Sequence, residues 1–142
     1  MKTFSPTVES IERDWYVVDM TGKNLGRTAA EIAKVLTGKN KPIFAPHIDT
    51  GDFVIVLNAD KFSVTGKRMT QKMYIRHSGY PGGLKKASMR EMLEKHPQRI
   101  LEHAVSGMLP KNRLRALRMK RLKLYISDKH PHEAQMPKNL DI

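Results

Sequence analysis

The chain has 142 residues, 39 % of them hydrophobic, with six histidines, no cysteine and a formal net charge of +12 at neutral pH. That length suits a single domain with its own core, since about 150 residues bury roughly 70 % of their unfolded surface, and it is too short for two packed domains and a linker. The absence of cysteine excludes disulfides, thiolate metal sites and cysteine nucleophiles. No apolar run approaches a bilayer span, and the start Met1–Pro6 has no signal-peptide or myristoylation pattern, so a soluble intracellular protein is expected.

Residues 1–14 are polar and read as a surface arm. Trp15–Asp19 is a β-rich run closed by the turn Thr21-Gly22-Lys23. Leu25, Ala29, Ile32, Ala33 and Leu36 then recur at helical spacing, and Gly38 stands just past the end as a C-cap. The segment Asp19–Arg27 lies between strand and helix, where phosphate-binding loops occur. It has neither Gly-Lys-Ser/Thr nor the spacing of G-x-G-x-x-G, so a plain turn is expected. Lys39–Gly51 carries two prolines and reads as a loop. Phe53–Leu57 is apolar without alternation, as in a central strand covered on both faces. Strand, helix, strand makes a right-handed parallel unit.

Farther along, Lys61–Lys72 mixes Phe62 and Val64 with the turn Thr65-Gly66-Lys67-Arg68, and Met73-Tyr74-Ile75 is a possible short strand. His77–Lys86 is a glycine-rich loop ending in two lysines. Ser88-Met89-Arg90-Glu91 is a capping box, so a helix starts there and stops at His96; Pro97 opens the next at its first position. On that second helix Ile100, Leu101, Ala104, Val105 and Met108 form one apolar face. Past Pro110 a basic helix is expected over Lys111–Arg121. Leu122, Leu124 and Ile126, alternating with Lys123, Tyr125 and Ser127, close with a strand. The remainder, 128–142, reads as a polar tail.

The charge is concentrated. Between Lys61 and Tyr125 stand 17 lysines and arginines against three acids, whereas the segments on either side are close to neutral. The densest stretch holds Lys111, Arg113, Arg115, Arg118, Lys120, Arg121 and Lys123 with no acid among them. Such a run repels itself unless a polyanion compensates it, and nucleic acid is the commonest one. Lys111, Arg115 and Arg118 would share a helical face, with Leu114 and Leu117 too thin a seam to anchor a membrane helix. Arginine forks grip phosphates bidentately. The glycine-rich loop is a second candidate: Gly79, Gly82 and Gly83 let backbone approach a phosphate, Tyr74 and Tyr80 could stack on bases, and Arg76, His77, Lys85 and Lys86 flank it. A solvated basic helix and an empty surface loop are the plainer alternatives.

Two histidine groupings and one lone histidine need an account. His47 with Asp49 and Asp52 could form an acid–base site on a small α/β enzyme acting on a phosphorylated substrate, although loop capping by the two aspartates is the simpler account. His130 and His132 resemble a metal fragment without a third ligand at metal-site spacing, so surface histidines are expected. His103 lies beside an apolar helix face and reads as a packing residue.

Over essentially its full length the chain resembles the bacterial large-subunit ribosomal proteins of the L-thirteen family. The resemblance is carried in order by Met1-Lys2-Thr3-Phe4, Asp14–Asp19, Leu25-Gly26-Arg27, Pro46–Asp52, Val56–Lys61, Val64-Thr65-Gly66, Gly82-Gly83, Gly107–Pro110 and Leu140-Asp141-Ile142. It implies a three-layer α/β/α fold with a small, mainly parallel sheet of about four strands. It implies a structural place on the rRNA of the large subunit beside neighbouring ribosomal proteins, in the cytoplasm, with an early part in subunit assembly. It implies no catalysis, and such proteins need not bind naked rRNA strongly alone. RNA contact carries over to the loop at Gly82 and Gly83 and to the segment after Pro110. The chain departs from the family's Gly-Pro-Leu-Gly-Arg-like run, having Asn112-Arg113-Leu114-Arg115-Ala116 there.

The resulting expectation is one domain over 1–142, with its RNA-facing region at 61–125. Phosphate contacts are expected from Lys111, Arg113, Arg115, Arg118, Lys120 and Arg121, and a second surface from Lys67, Arg68, Arg76, His77, Tyr80, Gly82, Gly83, Lys85 and Lys86. No metal, cofactor, membrane or small-molecule partner is expected. An RNA-binding regulator acting away from the ribosome is the remaining alternative.

Overall fold

A computed structural model describes residues 3–142; Met1 and Lys2, the first residues of the expected arm, lie outside the described residues. Strand β1 (Trp15–Asp19) runs into helix α1 (Leu25–Thr37), and β2 (Phe53–Leu57) returns parallel to β1 in the register Trp15↔Phe53 to Asp19↔Leu57. Asn24 opens α1 because its side chain accepts from the Gly26 and Arg27 N–H groups at 3.1 and 3.4 Å. Gly38 closes it in the left-handed region, φ 83°, donating to the Lys34 and Val35 carbonyls. A side chain at Gly38 would also collide with Thr50.

The sheet has four strands in the order β5-β2-β1-β6, where β5 is Leu122–Leu124 and β6 is Lys138–Asn139; every pairing is parallel. Alternation along β1 and β2 sends Val18, Val54 and Val56 to one face. There they join Ile32 and Leu36 of α1, and Ile100, Leu101 and Val105 of α4 (Pro97–Met108), in a continuous core. Each such side chain contributes about 1.5–3 kcal/mol on full burial. On the opposite face Trp15 and Phe53 stack at 4.2 Å between ring centroids. The C-terminal segment, with its short 3-10 helix Glu133–Gln135, comes over this face: the His132 ring lies 5.1 Å from Trp15 and bonds the Tyr125 hydroxyl at 2.7 Å. The architecture is therefore the expected three-layer α/β one, with a small parallel sheet.

Outside the sheet stand α2 (Arg68–Gln71), the antiparallel hairpin β3 (Met73–His77) and β4 (Leu84–Ser88), α3 (Met89–Lys95) and α5 (Leu114–Lys120). The capping box is made as expected. Ser88 Oγ accepts from the Glu91 N–H, and a Glu91 carboxylate oxygen accepts from the Ser88 N–H, both at 3.3 Å.

Several expectations are corrected. The two lysines after Gly83 lie on β4, a strand hidden from composition because Leu-Lys-Lys-Ala-Ser has no β-branched or aromatic residue. The tail is not all loop: Lys138 and Asn139 pair with Tyr16 and Val17 and form the sheet edge. Nor are His130 and His132 free surface histidines, since both are half-buried and His132 packs against Trp15 and Tyr125. The basic helix starts at Leu114, three residues later than expected, because the Asn112 side chain accepts from the Leu114 N–H at 3.1 Å and holds a turn before it.

Candidate nucleic-acid interface

The hairpin carries the first set of exposed cations. Its register places Arg76 directly opposite Lys85, and Ile75 opposite Lys86. The six-residue loop 78–83 turns because Gly79 and Gly82 adopt φ 86° and 71°, and it is closed by Ser78 N–H to the Gly83 carbonyl at 3.2 Å and Gly83 N–H to the Tyr80 carbonyl at 2.9 Å. Gly83 packs so closely on Ser78 and the Tyr80 carbonyl that a side chain would not fit. His77 is held by accepting from the Gly79 N–H at 2.9 Å. Tyr80 is 76 % exposed at the tip. Tyr74 differs: it is half-buried, packs against the core and lies 5.6 Å from the His103 ring. Burial raises its hydroxyl pKa above 10.0.

Arg76, Lys85 and Lys86 line one groove with Lys72, Lys95 and Arg99, which come from the start of the hairpin and from α3 and α4. The last three were absent from the candidate set. They are scattered singly in sequence, and Lys95 and Arg99 straddle the helix break at Pro97. Lys67 and Arg68 line a shallow depression that adjoins the groove through Lys72.

The second set does not hold together as expected. Lys111, Arg113 and Lys120 are exposed and Arg115 is half-buried. Arg118 and Arg121, however, are only 1 % and 7 % exposed. Their guanidinium groups face inward to Asp49: Arg121 grips the carboxylate with both terminal nitrogens, one at 2.5 Å, and Arg118 Nε lies 3.5 Å from the same group. Arg121 also donates to the Leu36 carbonyl at 3.1 Å, neutralising the C-terminal end of α1. These two arginines are internal struts whose charge is directed to Asp49. The arginine spacing could not reveal this, because the carboxylate that claims them is some 70 residues away in sequence.

The same contacts account for Asp49 and Asp52. Burial alone would raise the Asp49 pKa, but the hydrogen bonds and charge of Arg121, with the charge of Arg13, outweigh it and hold the group below 3.8. Asp52 is fully buried and accepts from the Asp14 N–H at 2.9 Å and Lys41 Nζ at 2.5 Å. Arg13 donates to the Gly51 and Asp49 carbonyls at 2.6 and 2.9 Å. Gly51 lies so close to the Leu36 carbonyl that no side chain would fit. The stretch from Asp49 to Asp52 is thus an ion-paired junction joining the N-terminal segment, α1, β2 and the end of α5; it takes the place of the acid–base reading and adds buried ion pairs to the backbone capping expected of the two aspartates. Among the described residues no group of three or more His, Cys, Asp and Glu side chains could hold a metal ion, and no helix is long and apolar enough to cross a membrane.

A parallel α/β core whose surplus cations crowd one groove and one exposed turn places the chain among strongly basic α/β domains. Comparison with known proteins narrows the class. The family model described as Ribosomal protein L13 matches residues 13–131. Large ribosomal subunit protein uL13 of Trichormus variabilis is 58 % identical over 141 residues, covering 99 % of this chain and 93 % of that protein. The protein of the same name from Alcanivorax borkumensis is 54 % identical over 142 residues, the whole of both chains. That from Thermotoga petrophila is 57 % identical over 141 residues, 99 % of this chain and 95 % of its own. The chain belongs to the ribosomal protein L13 family, and it is a ribosomal protein, not an enzyme.

Proposed function

We propose that this protein is a structural constituent of the large ribosomal subunit, in the cytoplasm, that contacts rRNA through its basic region and supports early assembly of the subunit beside neighbouring ribosomal proteins. The observation that carries this reading is the near-full-length match, at 54–58 % identity, to proteins named for the large subunit. The charge distribution supports it: 17 lysines and arginines against three acids, a local net of +14, lie between Lys61 and Tyr125, where the exposed cations of the hairpin and of the Lys111–Lys120 segment lie.

Phosphate contact belongs to Lys67, Arg68, Arg76, Lys85 and Lys86 on one surface and to Lys111, Arg113, Arg115 and Lys120 on the other, with Gly82 and Gly83 allowing close backbone approach and His77 and Tyr80 reaching outward. Shape of the folded rRNA, more than base identity, supplies specificity. The test is sedimentation. The protein should travel with large subunits at near-stoichiometric amounts and come off at high salt; recovery mainly in the free fraction at low salt would overturn the proposal.

A further inference from the structure

The groove between the β3–β4 hairpin and the α3–α4 pair has features that general attraction to rRNA does not require. It encloses about 670 Å³. Its hairpin side carries Arg76 and Lys85, directly opposite in register. Like charges placed so across two strands destabilise the pairing. The helix side carries Lys95 and Arg99. Glu91, the acid among the lining residues, is committed to the Ser88 N–H at 3.3 Å. Among the described residues no carboxylate is ion-paired to any of these four cations. One carboxylate against six lysines and arginines leaves the cleft with a positive field that an outside anion relieves.

Between the two sides the groove is lined by Tyr74 and Met92, both half-buried and packed on the core, and Lys72 Nζ lies 5.7 Å from the Tyr74 ring centroid. A concave groove of this size is too narrow for an A-form helix, which buries its base faces and offers a protein mainly phosphates and 2′-hydroxyls. Its volume is instead within the roughly 300–1,000 Å³ of pockets that enclose small ligands. Cations along the rims with an aromatic ring between them match an unpaired strand, whose phosphates and exposed base can be met together.

We propose that this groove holds a single, unpaired strand of rRNA, its phosphates between the Arg76/Lys85 and Lys95/Arg99 sides and one base laid against Tyr74. The inference rests on the rRNA reading above and names the form of RNA that this site takes. To test it, large subunits are assembled with the full chain carrying a diazirine amino acid at Lys95 or, in a second preparation, at Arg76, and are then irradiated. Both preparations should capture rRNA, at nucleotides whose Watson–Crick edges react with base-specific probes in subunits assembled without the protein. A Lys95→Gln/Arg99→Gln chain carrying the diazirine at Arg76 should still sediment with subunits but lose most of that capture. Capture of paired nucleotides, capture of a protein, or no capture from a chain present in the subunits would overturn the single-strand assignment while leaving the ribosomal reading intact. Absence of every preparation, the unsubstituted chain included, from the subunits would overturn that reading itself.

Discussion

Asp49 decides whether two arginines are surface or core. Desolvating a carboxylate and two guanidinium groups is costly, and the geometry offsets it only while all partners are present. Asp49→Asn should therefore destabilise the fold by about 3–5 kcal/mol, the range for breaking a buried ion pair. Replacing the carboxylate and both guanidinium groups together, Asp49→Leu with Arg118→Met and Arg121→Met, should recover much of the loss, which urea unfolding of the single variants and the triple variant would measure. The pH dependence has a definite sign. The folded-state pKa of Asp49 is depressed below 3.8, so its contribution is complete above 3.8 and is lost as pH falls through the folded value. The stability gap between wild type and Asp49→Asn should accordingly narrow below pH 3.8 and be constant near neutrality. Gly51 makes a second point on the same junction. Gly51→Ala should cost about 1–3 kcal/mol, because a methyl group there meets the Leu36 carbonyl and the backbone has to shift; a thermal-unfolding midpoint equal to wild type would show that the close approach relaxes without cost.

At the scale of elements, local chemistry was readable where the signal lies within a few residues. The Gly38 cap, the Ser88/Glu91 box and Pro97 at the first turn of α4 all follow from short-range rules and are found where those rules put them. Ser88→Ala should cost about 1 kcal/mol in urea unfolding by removing the acceptor for the Glu91 N–H. Elements set by distant partners were not readable. Leu84–Ser88 becomes a strand only because Met73–His77 lies beside it, and Lys138–Asn139 joins the sheet only because β1 has a free edge. The family's glycines are absent at 112–116, yet none of these residues needs a positive φ, and the Asn112 side chain starts the turn into α5. The candidate site divides in the same way. The clustered exposed cations were identifiable from charge density alone, whereas Lys72, Lys95 and Arg99, scattered singly, were not, and the inward arginines required knowledge of Asp49. The distinction can be measured by filter binding of the full chain to large-subunit rRNA over a salt series. Lys111→Gln/Arg113→Gln should lower the log–log slope by roughly 1.4–1.8, at about 0.7–0.9 per neutralised phosphate. Arg118→Met should leave the slope unchanged while lowering the unfolding midpoint.

For the whole molecule, a nearly neutral core domain presents its excess charge through a hairpin, a short helical turn and the segment leading into α5. The sheet and its ion-paired junction set where these projections sit; apart from the buried Arg118 and Arg121, the excess cations lie on these projections and on the exposed sides of α3 and α4. The most direct measurement of this account is a map of the assembled large subunit in which side-chain–phosphate distances around this protein can be read. Phosphate oxygens should lie within hydrogen-bond reach of side chains in both exposed sets, Arg76 and Lys85 on the hairpin and Lys111 and Arg113 before α5, with Arg118 and Arg121 still closed on Asp49. Phosphates on Arg118 or Arg121, or rRNA lying elsewhere on the protein with both exposed sets in solvent, would contradict it.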